Sequence, residues 1–224
     1  MDGNGRWAQN KGLPRISGHQ QGMKAVRETI ESALELKIPY LTLFGFSWEN
    51  WKRPEEEVDE LIKLLTFYLE KEIDSLNENG VCLKVIGDIS PFNQSVISLI
   101  KEAEKQTSHN TNLFLTVALS YSGRRDILQA TKTIIHDIKT GLLTSDQIND
   151  QVFSQYLMTS TMPDPDLVIR TSGEKRISNF LLWQSAYAEF VFFDVYWPDF
   201  GKKDFTEAIA LYQNRQRRYG KVSI

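Results

Sequence analysis

Residues 41–46 read LTLFGF, and this nearly all-apolar run decides the fold class. A strand without polar alternation is covered on both faces, which is typical of a parallel sheet that lies between helices. Two later runs have the same character, VCLKVIG at 81–87 and NLFLTVALS at 112–120. Shorter runs at 166–170 (DLVIR) and 189–195 (EFVFFDV) resemble them. These five runs are predicted to be strands.

Helical patterns lie around and between these strands. The first begins near Ser17 and Gln20, which have capping-box spacing, and Pro39 ends it. A second begins at Pro54, with glutamates in its first turn, and ends near Asn79. Further helices are predicted at 91–108, 124–140, 145–158, 180–187 and 202–219, the last ending at Gly220. Strands that alternate with helices predict an α/β fold, a mostly parallel central sheet with helices on both faces.

Composition excludes several classes of protein. The chain has 26 Lys and Arg against 29 Asp and Glu, a net charge of −3, so no overall field attracts nucleic acid. The single cysteine, Cys82, lies in an apolar run, which predicts a buried, inert thiol in a reducing compartment. Apolar runs fall short of the ~18 residues that span a bilayer. We therefore predict a soluble, cytoplasmic protein of one domain without a nucleic-acid partner.

Three polar segments fall beside predicted strand ends or the first helix: DGNGRW at 2–7, SWENWKRP at 47–54 and TSGEKRISNF at 171–180. Ligands of parallel sheets bind beyond the carboxyl ends of the strands, so these segments are expected to meet at one rim. Each also fits an ordinary structural role: a glycine turn, a loop that covers the sheet edge, and solvated arginines. His19 equally fits a solvent-facing residue of a first helical turn, and Glu189 an exposed carboxylate.

The charged residues beside these segments together favour an anion site. Two carboxylates, Asp2 and Glu189, are available for a divalent cation. Glycines permit close approach of the backbone to phosphate, and arginine forks onto phosphate oxygens. The set predicts a doubly phosphorylated ligand with Mg²⁺. Its cationic and imidazole members are Arg6, Arg15, His19, Arg53, Arg170 and Arg176.

The motifs resemble those of the cis-prenyltransferase family, specifically its bacterial undecaprenyl diphosphate synthases. The resemblance covers the chain from Met1 to about Phe200. Two positions depart from the family pattern: Trp48, where Thr or Ser is usual, and Ser122, where Gly is usual. The motifs that carry it are MDGNGRWA at 1–8, GHQQG at 18–22, FSWENWKRP at 46–54, RTSGEKRISNFLLWQSAYAE at 170–189 and WPDF at 197–200.

This resemblance implies a Mg²⁺-dependent transferase that adds isopentenyl diphosphate repeatedly to farnesyl diphosphate, forming a cis double bond each time. The implied product is undecaprenyl diphosphate, the precursor of the cell-wall lipid carrier, held in a hydrophobic tunnel as it grows. A homodimer is implied, with transient contact to the inner face of the membrane during product release. The family carries a short hydrophobic strand before the MDGNG motif, so residues 1–224 are expected to be a single catalytic domain without that strand.

The resemblance also implies roles for individual residues. Asp2 would organise Mg²⁺, and Glu189 would reach the same metal region, either within its own chain or across a dimer interface. Asn50 is the family's candidate for handling the proton lost during condensation, but a neutral carboxamide is a very weak base, which favours an orienting role. The implied substrate-binding residues are Gly3, Asn4, Gly5, Arg6, Trp7, Arg15, His19, Phe46, Ser47, Trp48, Glu49, Trp51, Arg53, Arg170, Arg176, Ile177 and Ser178.

Within that set, the resemblance separates two diphosphate sites and a mouth for the prenyl chain. The allylic diphosphate would contact the backbone of residues 3–6 and the side chains of Arg15 and His19. The diphosphate of the incoming isopentenyl group would contact Arg170, Arg176 and Ser178. The mouth would be lined by Trp7, Phe46 and Trp51, and the tunnel by apolar residues of the helix at 55–79 and the strands at 41–46 and 112–120.

Two other functions fit parts of the sequence. A non-catalytic partner subunit of a cis-prenyltransferase complex is the first, but such subunits characteristically lack the opening motif, which this chain keeps with Asp2 and Asn50. An unrelated α/β phosphatase or nucleotide-binding enzyme is the second. Neither a Walker A lysine motif nor a strand-linked G-x-G-x-x-G motif occurs in the sequence, which disfavours nucleotide binding.

Overall fold

The computed structural model describes residues 1–215, and within that range helices and strands alternate along the chain. Three short 3₁₀ helices, at Trp48–Lys52, Ser145–Gln147 and Trp197–Asp199, supplement them. The α-helices and strands are α1 (Asn4–Asn10), α2 (Arg15–Glu35), β1 (Tyr40–Ser47), α3 (Glu55–Glu78), β2 (Val81–Ile86), α4 (Gln94–Thr107), β3 (Leu113–Tyr121), α5 (Gly123–Thr140), α6 (Asp150–Gln155), β4 (Leu167–Arg170), β5 (Glu189–Phe192) and α7 (Lys202–Gln213).

All strand pairs are parallel, as the apolar runs predict. The strands form two sheets, one in the order β1-β3-β2 and one that pairs β4 with β5. Strand β3 is central in the first sheet and almost wholly buried, which explains why its sequence shows no polar alternation. The predicted α/β class with a parallel sheet is confirmed, although the described strands lie in two sheets instead of one. That residues 1–224 form a single catalytic domain stays a prediction.

The main hydrophobic core lies between α2, the first sheet and the segment after β5. Ala25 and Ala33 of α2 pack in one cluster with Leu115 of β3 and with Trp197. The ring of Trp197 stacks on Phe200 at 5.4 Å, and its Nε1 donates to the carbonyl of Gly22 at 2.9 Å. Trp197 of the WPDF motif is therefore part of the protein's own core, not of an exposed surface.

The opening motif differs from its predicted form as a turn before the first helix. Residues Asn4–Asn10 are themselves helical and pack against α2. Gly18 makes this packing close, because a Cβ there would overlap the backbone carbonyl of Asn4. Helix α2 begins at Arg15 after Pro14, so Ser17 lies inside the helix and does not cap it. The packing of α1 against α2 is a contact that no local sequence pattern encodes.

Segment 180–187 is not the predicted helix but a series of turns. Leu181 has a φ of 42°, and Ser178 and Asn179 before it have φ of 49° and 63°, values that a right-handed helix excludes. Residues 145–158 are likewise not one helix, because a 3₁₀ turn and the short α6 occupy them. The last helix is predicted to end at Gly220, a residue that lies outside the described range. Within the described residues, α7 ends at Gln213.

Two expectations from composition concern Cys82 and the apolar segments. Cys82 is partly buried on β2, less than predicted, and burial raises the pKa of its thiol, which disfavours the reactive thiolate. Among the helices within residues 1–215, none has both the length and the apolar character that crossing a bilayer requires.

Candidate active site

A cavity of about 930 Å³ opens beside the carboxyl ends of β1 and β4 and continues between α2, α3 and the first sheet. Its deeper walls are apolar, with Leu65 and Leu69 of α3 opposite Leu115 and Val117 of β3. Its polar end gathers fifteen of the twenty residues that sequence analysis put forward for the site. They are Asp2, Gly3, Asn4, Gly5, Arg6, Arg15, His19, Phe46, Ser47, Asn50, Arg53, Arg170, Arg176, Ile177 and Ser178.

Asp2 is fixed in this end of the cavity by its backbone. Its N–H donates to Thr171 Oγ1 at 3.1 Å, and its carbonyl accepts from the same hydroxyl at 2.9 Å and from the N–H of Trp197 at 3.0 Å. The next residue, Gly3, has a φ of 98° and lies so near Ser172 that a Cβ would come within 2.6 Å of its Oγ. Only glycine fits that conformation and that space.

Carboxylates and arginines alternate around Asp2. The Oδ2 of Asp2 binds Arg170 at 2.9 Å, and its Oδ1 lies 3.4 Å from Arg6. Arg6 also binds Glu174 at 2.8 Å, and Glu174 forms an ion pair with Arg176. Asp2 and Glu174 therefore each bridge two arginines, which ties the opening motif to loop 171–181.

Electrostatics keep both bridging carboxylates ionised. Burial alone would raise the pKa of Asp2, but the hydrogen bond and positive charge of Arg170 outweigh it, so this pKa lies below its ordinary value. The pKa of Glu174 is lowered by its hydrogen bond to Arg176 and by the charges of Arg176 and Arg6. The site is thus a set of paired charges, not a bare positive patch.

Arg170 organises the loop that follows its own strand. Its side chain is only 16% exposed, and its Nη1 donates to Ser178 Oγ at 2.7 Å and to the carbonyl of Arg176. Loop 171–181 therefore folds back over the end of β4. This brings Arg170, Arg176 and Ser178 together, as the predicted second diphosphate site requires.

A second group of charges lies at the start of α2 and α3. Glu57 binds Arg53 at 3.0 Å and Arg15 at 3.4 Å, so it holds two predicted anion-binding arginines. Gly5 lies directly under Arg15, because a Cβ there would come within 2.6 Å of the guanidinium carbon. Burial, followed by the charge of Arg53, lowers the pKa of His19 to about 4, and its Nε2 is buried with no hydrogen-bond partner. At neutral pH His19 is therefore an uncharged hydrogen-bonding group.

Asn50 lies on the 3₁₀ helix that follows β1. Its Oδ1 accepts from the N–H of Ser47 at 2.9 Å, in a capping box, so its amide nitrogen is the part that remains for a ligand. Trp51 does not line the cavity; its Nε1 donates to Ser120 Oγ at 2.8 Å, and its ring packs on Phe46 at 5.2 Å.

Four more predicted residues lie outside the cavity lining. Trp7 is a buried residue of α1, with Lys11 Nζ 4.0 Å from its ring centre. Trp48 stacks on the guanidinium of Arg125 at 3.5 Å, and Glu49 accepts from Asn179 at 2.8 Å. These three side chains contact other residues of the chain instead of the cavity. The fourth is Glu189.

Glu189 lies apart from Asp2. It begins β5, pairs in register with Leu167 at the start of β4, and forms an ion pair with Arg215 at 2.5 Å. Asp2 meets Arg170 at the other end of β4, about 10 Å farther along the strands. Within one chain the two predicted metal ligands therefore do not converge, and residues 1–215 contain no cluster of three or more His, Cys, Asp or Glu side chains that would hold a metal.

Sequence reasoning missed three residues of this site: Glu57, Ser172 and Glu174. Glu57 follows Arg53 at the (i, i+4) spacing of a helical ion pair, a signal that was available. Ser172 accepts from Arg6 at 2.6 Å, and Glu174 binds the same guanidinium. These last two contacts join residues far apart in sequence, and no local spacing points to them.

Comparison with known proteins gives a consistent result over the whole chain. A family model described as a putative undecaprenyl diphosphate synthase matches residues 1–220. An isoprenyl transferase of Clostridium perfringens is 49% identical over 222 residues, which cover 99% of this chain and 88% of that protein. A ditrans,polycis-undecaprenyl-diphosphate synthase of Buchnera aphidicola, described as specific for (2E,6E)-farnesyl diphosphate, is 52% identical over 224 residues, covering 100% of this chain and 90% of that protein.

Two solved structures share the fold. Lavandulyl diphosphate synthase from Lavandula x intermedia, in complex with dimethylallyl diphosphate, matches with a TM-score of 0.95 and 34% identity, covering 99% of this chain and 95% of that chain. A probable undecaprenyl diphosphate synthase from Campylobacter jejuni matches with a TM-score of 0.81 and 36% identity, covering 90% and 93% of the two chains.

Proposed function

Because this chain belongs to the undecaprenyl diphosphate synthase family of prenyltransferases, we propose that it condenses isopentenyl diphosphate repeatedly onto farnesyl diphosphate. Each condensation forms a cis double bond, and the proposed product is undecaprenyl diphosphate. The named substrate of the Buchnera relative and the allylic diphosphate bound in the Lavandula structure support this assignment.

One observation carries the proposal: two groups of cations lie at the polar end of a single apolar cavity. Arg15, with the backbone of residues 3–6, forms one group, while Arg170 and Arg176 form the other. Arg6 lies beside residues 3–5 and binds Asp2 and Glu174, the two carboxylates that pair with Arg170 and Arg176. Two diphosphates held there would place their prenyl parts against the same apolar walls, which is the arrangement that a head-to-tail condensation needs.

The proposed chemistry breaks the allylic C–O bond, forms a C–C bond to the isopentenyl double bond and releases one proton and one diphosphate. The main part of the energy barrier comes from negative charge that develops on the leaving diphosphate. Preorganised hydrogen-bond donors should therefore contribute most to catalysis. Arg6, Arg15 and the neutral His19 would stabilise that charge, and Arg170, Arg176 and Ser178 would hold the incoming diphosphate. Asn50 would orient the reacting groups through its amide nitrogen, with a diphosphate oxygen or water as the final proton acceptor.

Of the two carboxylates predicted to bind Mg²⁺, only that of Asp2 lies at the cavity. Asp2 offers a single ionised carboxylate beside the proposed allylic diphosphate site. Mg²⁺ is commonly bound by one or two carboxylates together with substrate phosphates and waters, so a lone aspartate beside a diphosphate suffices. When bound, the ion would neutralise charge on the leaving group. Asp2 would exchange its bond to Arg170 for the metal.

The apolar part of the cavity would hold the growing chain. Residues of α3, β1 and β3 line it, and each five-carbon unit buried there would contribute about 3–4 kcal/mol at ~0.8 kcal/mol per carbon. This favours a long product over a short one. We further propose that the protein is a cytoplasmic homodimer of single catalytic domains, with transient membrane contact when the lipid leaves.

The test is incubation of the protein with radiolabelled isopentenyl diphosphate, farnesyl diphosphate and Mg²⁺, followed by organic extraction and chromatography. We expect label in long-chain polyprenyl diphosphates that co-migrate with an undecaprenyl standard, and none when farnesyl diphosphate is left out. If the protein assayed by itself incorporates no label, the alternative of a non-catalytic partner subunit is favoured instead.

A further inference from the structure

Loop 171–181 is held in an unfavourable backbone conformation. Ser178, Asn179 and Leu181 have φ of 49°, 63° and 42°, in the left-handed region that costs non-glycine residues free energy. Asparagine tolerates this region better than most residues. The same loop carries Arg176 and Ser178, so whatever holds its shape also places the proposed site for the isopentenyl diphosphate.

Asn179 makes the contacts that hold it. Its amide nitrogen donates to Glu49 Oε1 at 2.8 Å and to Ser122 Oγ at 2.7 Å. Its amide oxygen accepts from the N–H of Arg124 at 2.9 Å, and its carbonyl accepts from the N–H of Gly123 at 2.8 Å. Four hydrogen bonds from one residue thus reach two other segments of the chain.

These two segments follow the neighbouring strands β1 and β3. Glu49 lies on the 3₁₀ helix that carries Asn50, and Ser122 is the N-cap of α5, where its Oγ accepts from the N–H of Arg125 at 3.4 Å. Trp48, beside Glu49, stacks on Arg125 and strengthens the same junction. Asn179 is therefore the point at which the segments after β1, β3 and β4 meet.

We propose that Asn179 is a positioning residue that sets the distance between the second diphosphate site and Asn50 by locking loop 171–181 against Glu49 and the start of α5. The inference rests on the proposed function, since it concerns the isopentenyl subsite of that reaction. Asn179 does not touch the reacting atoms. It acts through Ser178 and Arg176 on one side and through Glu49 on the other.

The direction of one hydrogen bond makes the proposal testable. The amide of Asn179 is the donor and the carboxylate of Glu49 is the acceptor. The substitution Asn179→Asp removes the donor and places two carboxylates against each other, while it keeps the acceptor for Arg124 and much of the left-handed tolerance. Adding Glu49→Gln reverses the bond, because the new amide donates to the new carboxylate.

The experiment measures KM for both substrates and kcat in four proteins: wild type, N179D, E49Q and the double variant. We expect N179D to raise KM for isopentenyl diphosphate about tenfold, the scale of one lost charge-assisted hydrogen bond. KM for farnesyl diphosphate should change less than about twofold. The double variant should recover most of the loss, as coupled partners do in a double-mutant cycle.

Asn110→Asp is the matched control. The amide nitrogen of Asn110 also donates to two residues, but at the far end of α3: to Asn77, at Oδ1 (3.0 Å) and at the carbonyl (3.4 Å), and to the carbonyl of Val81 at 3.0 Å. N110D should lower the melting temperature without separating the two KM values. The proposal is overturned if N179D leaves KM for isopentenyl diphosphate within twofold of wild type, if both KM values rise equally, or if the double variant recovers nothing.

A wild-type protein that condenses nothing would contradict the proposed function, not this inference. Amide hydrogen exchange then tests the inference without substrates. N179D should accelerate exchange across residues 171–181, and the double variant should restore protection. Equal exchange rates across residues 171–181 in wild type and N179D would overturn the proposed positioning role of Asn179.

Discussion

At the scale of single residues, Asp2 combines a fixed backbone with a partly exposed side chain. Three backbone hydrogen bonds hold it, while its carboxylate meets only arginines and the N–H of Gly3. Asp2→Ala should therefore lower kcat at least about a hundredfold, the scale of lost transition-state charge stabilisation, and change the melting temperature little. Steady-state kinetics and thermal unfolding on the same preparation measure both. Near wild-type turnover would contradict the proposed metal role.

The arginines of loop 171–181 and β4 should affect the two substrates differently. Arg170→Ala and Arg176→Ala should each raise KM for isopentenyl diphosphate at least about tenfold, as loss of a charge-assisted bond does, with a smaller change for farnesyl diphosphate. Arg176→Ala should separate the two values more cleanly, because Arg170 also binds Asp2 at 2.9 Å. Equal effects of Arg176→Ala on both KM values would contradict the assignment of two sites.

His19 gives the stability a pH dependence of known sign. Its pKa is lowered from 6.5 to about 4 in the folded protein, so the unfolded chain takes up a proton more readily between these values. Stability should be unaffected above pH 6.5 and fall as the pH drops toward 4, by about 2 kcal/mol after partial screening by solvent. His19→Gln should flatten this slope in urea unfolding, and the exposed His136→Gln should not. An unchanged slope in His19→Gln would contradict the buried, neutral state.

At the scale of elements, α3 is the wall along which product length should be set. Leu65 and Leu76 both line the cavity, and the helical rise separates them by about 16 Å. Leu65→Trp lies nearer the polar end, so it should shorten the products more than Leu76→Trp does. Chromatography of extracted products measures this. Phe67→Trp, on the exposed face of the same helix, is the control and should leave product length unchanged.

The elements that sequence reasoning predicted are those that burial alone specifies. The strands at 81–86 and 113–121 are apolar because both faces are covered. The start of α3 is predictable from Pro54 and the glutamates after it. The turns at 180–187 carry a helix-like composition, but Leu181 near their start has a φ of 42°, which a right-handed helix excludes at that residue.

The same distinction applies to the site. Four of its five arginines were predictable because they lie in distinctive motifs, Arg15 lies between two motifs, and the resemblance to a family supplied their grouping. Their counter-ions were not: Glu174 pairs with Arg6 across 168 positions of sequence, and Glu57 holds Arg15 from another helix. Pairings of this kind depend on how the helices and loops pack.

At the scale of the whole molecule, the surface beside β5 is where assembly should occur. Tyr187 and Phe192 are 69% and 37% exposed, and β5 has one unpaired edge among the described strands. Aromatic residues are enriched at interface cores, which with the family resemblance favours a homodimer here. Tyr187→Asp should shift the protein toward monomer in light scattering and lower activity per chain on dilution.

Leu142→Asp serves as the control, because Leu142 is even more exposed than Tyr187 but lies on the turn after α5, and it should leave the mass unchanged. A wild-type monomer with full activity at the assay concentration would contradict the dimer. Glu189 begins β5, so only in a dimer would it approach a second active site.

The alternating chain of ion pairs Arg170, Asp2, Arg6, Glu174 and Arg176 has a consequence for a reaction that repeats. An arginine that is already neutralised gives up one anion to accept another, so a diphosphate gains less affinity than it would from bare cations. When the spent diphosphate departs, the internal carboxylates would take its place. The protein thus carries its own displacing anions, and inorganic diphosphate should be a weak inhibitor that clears between successive additions.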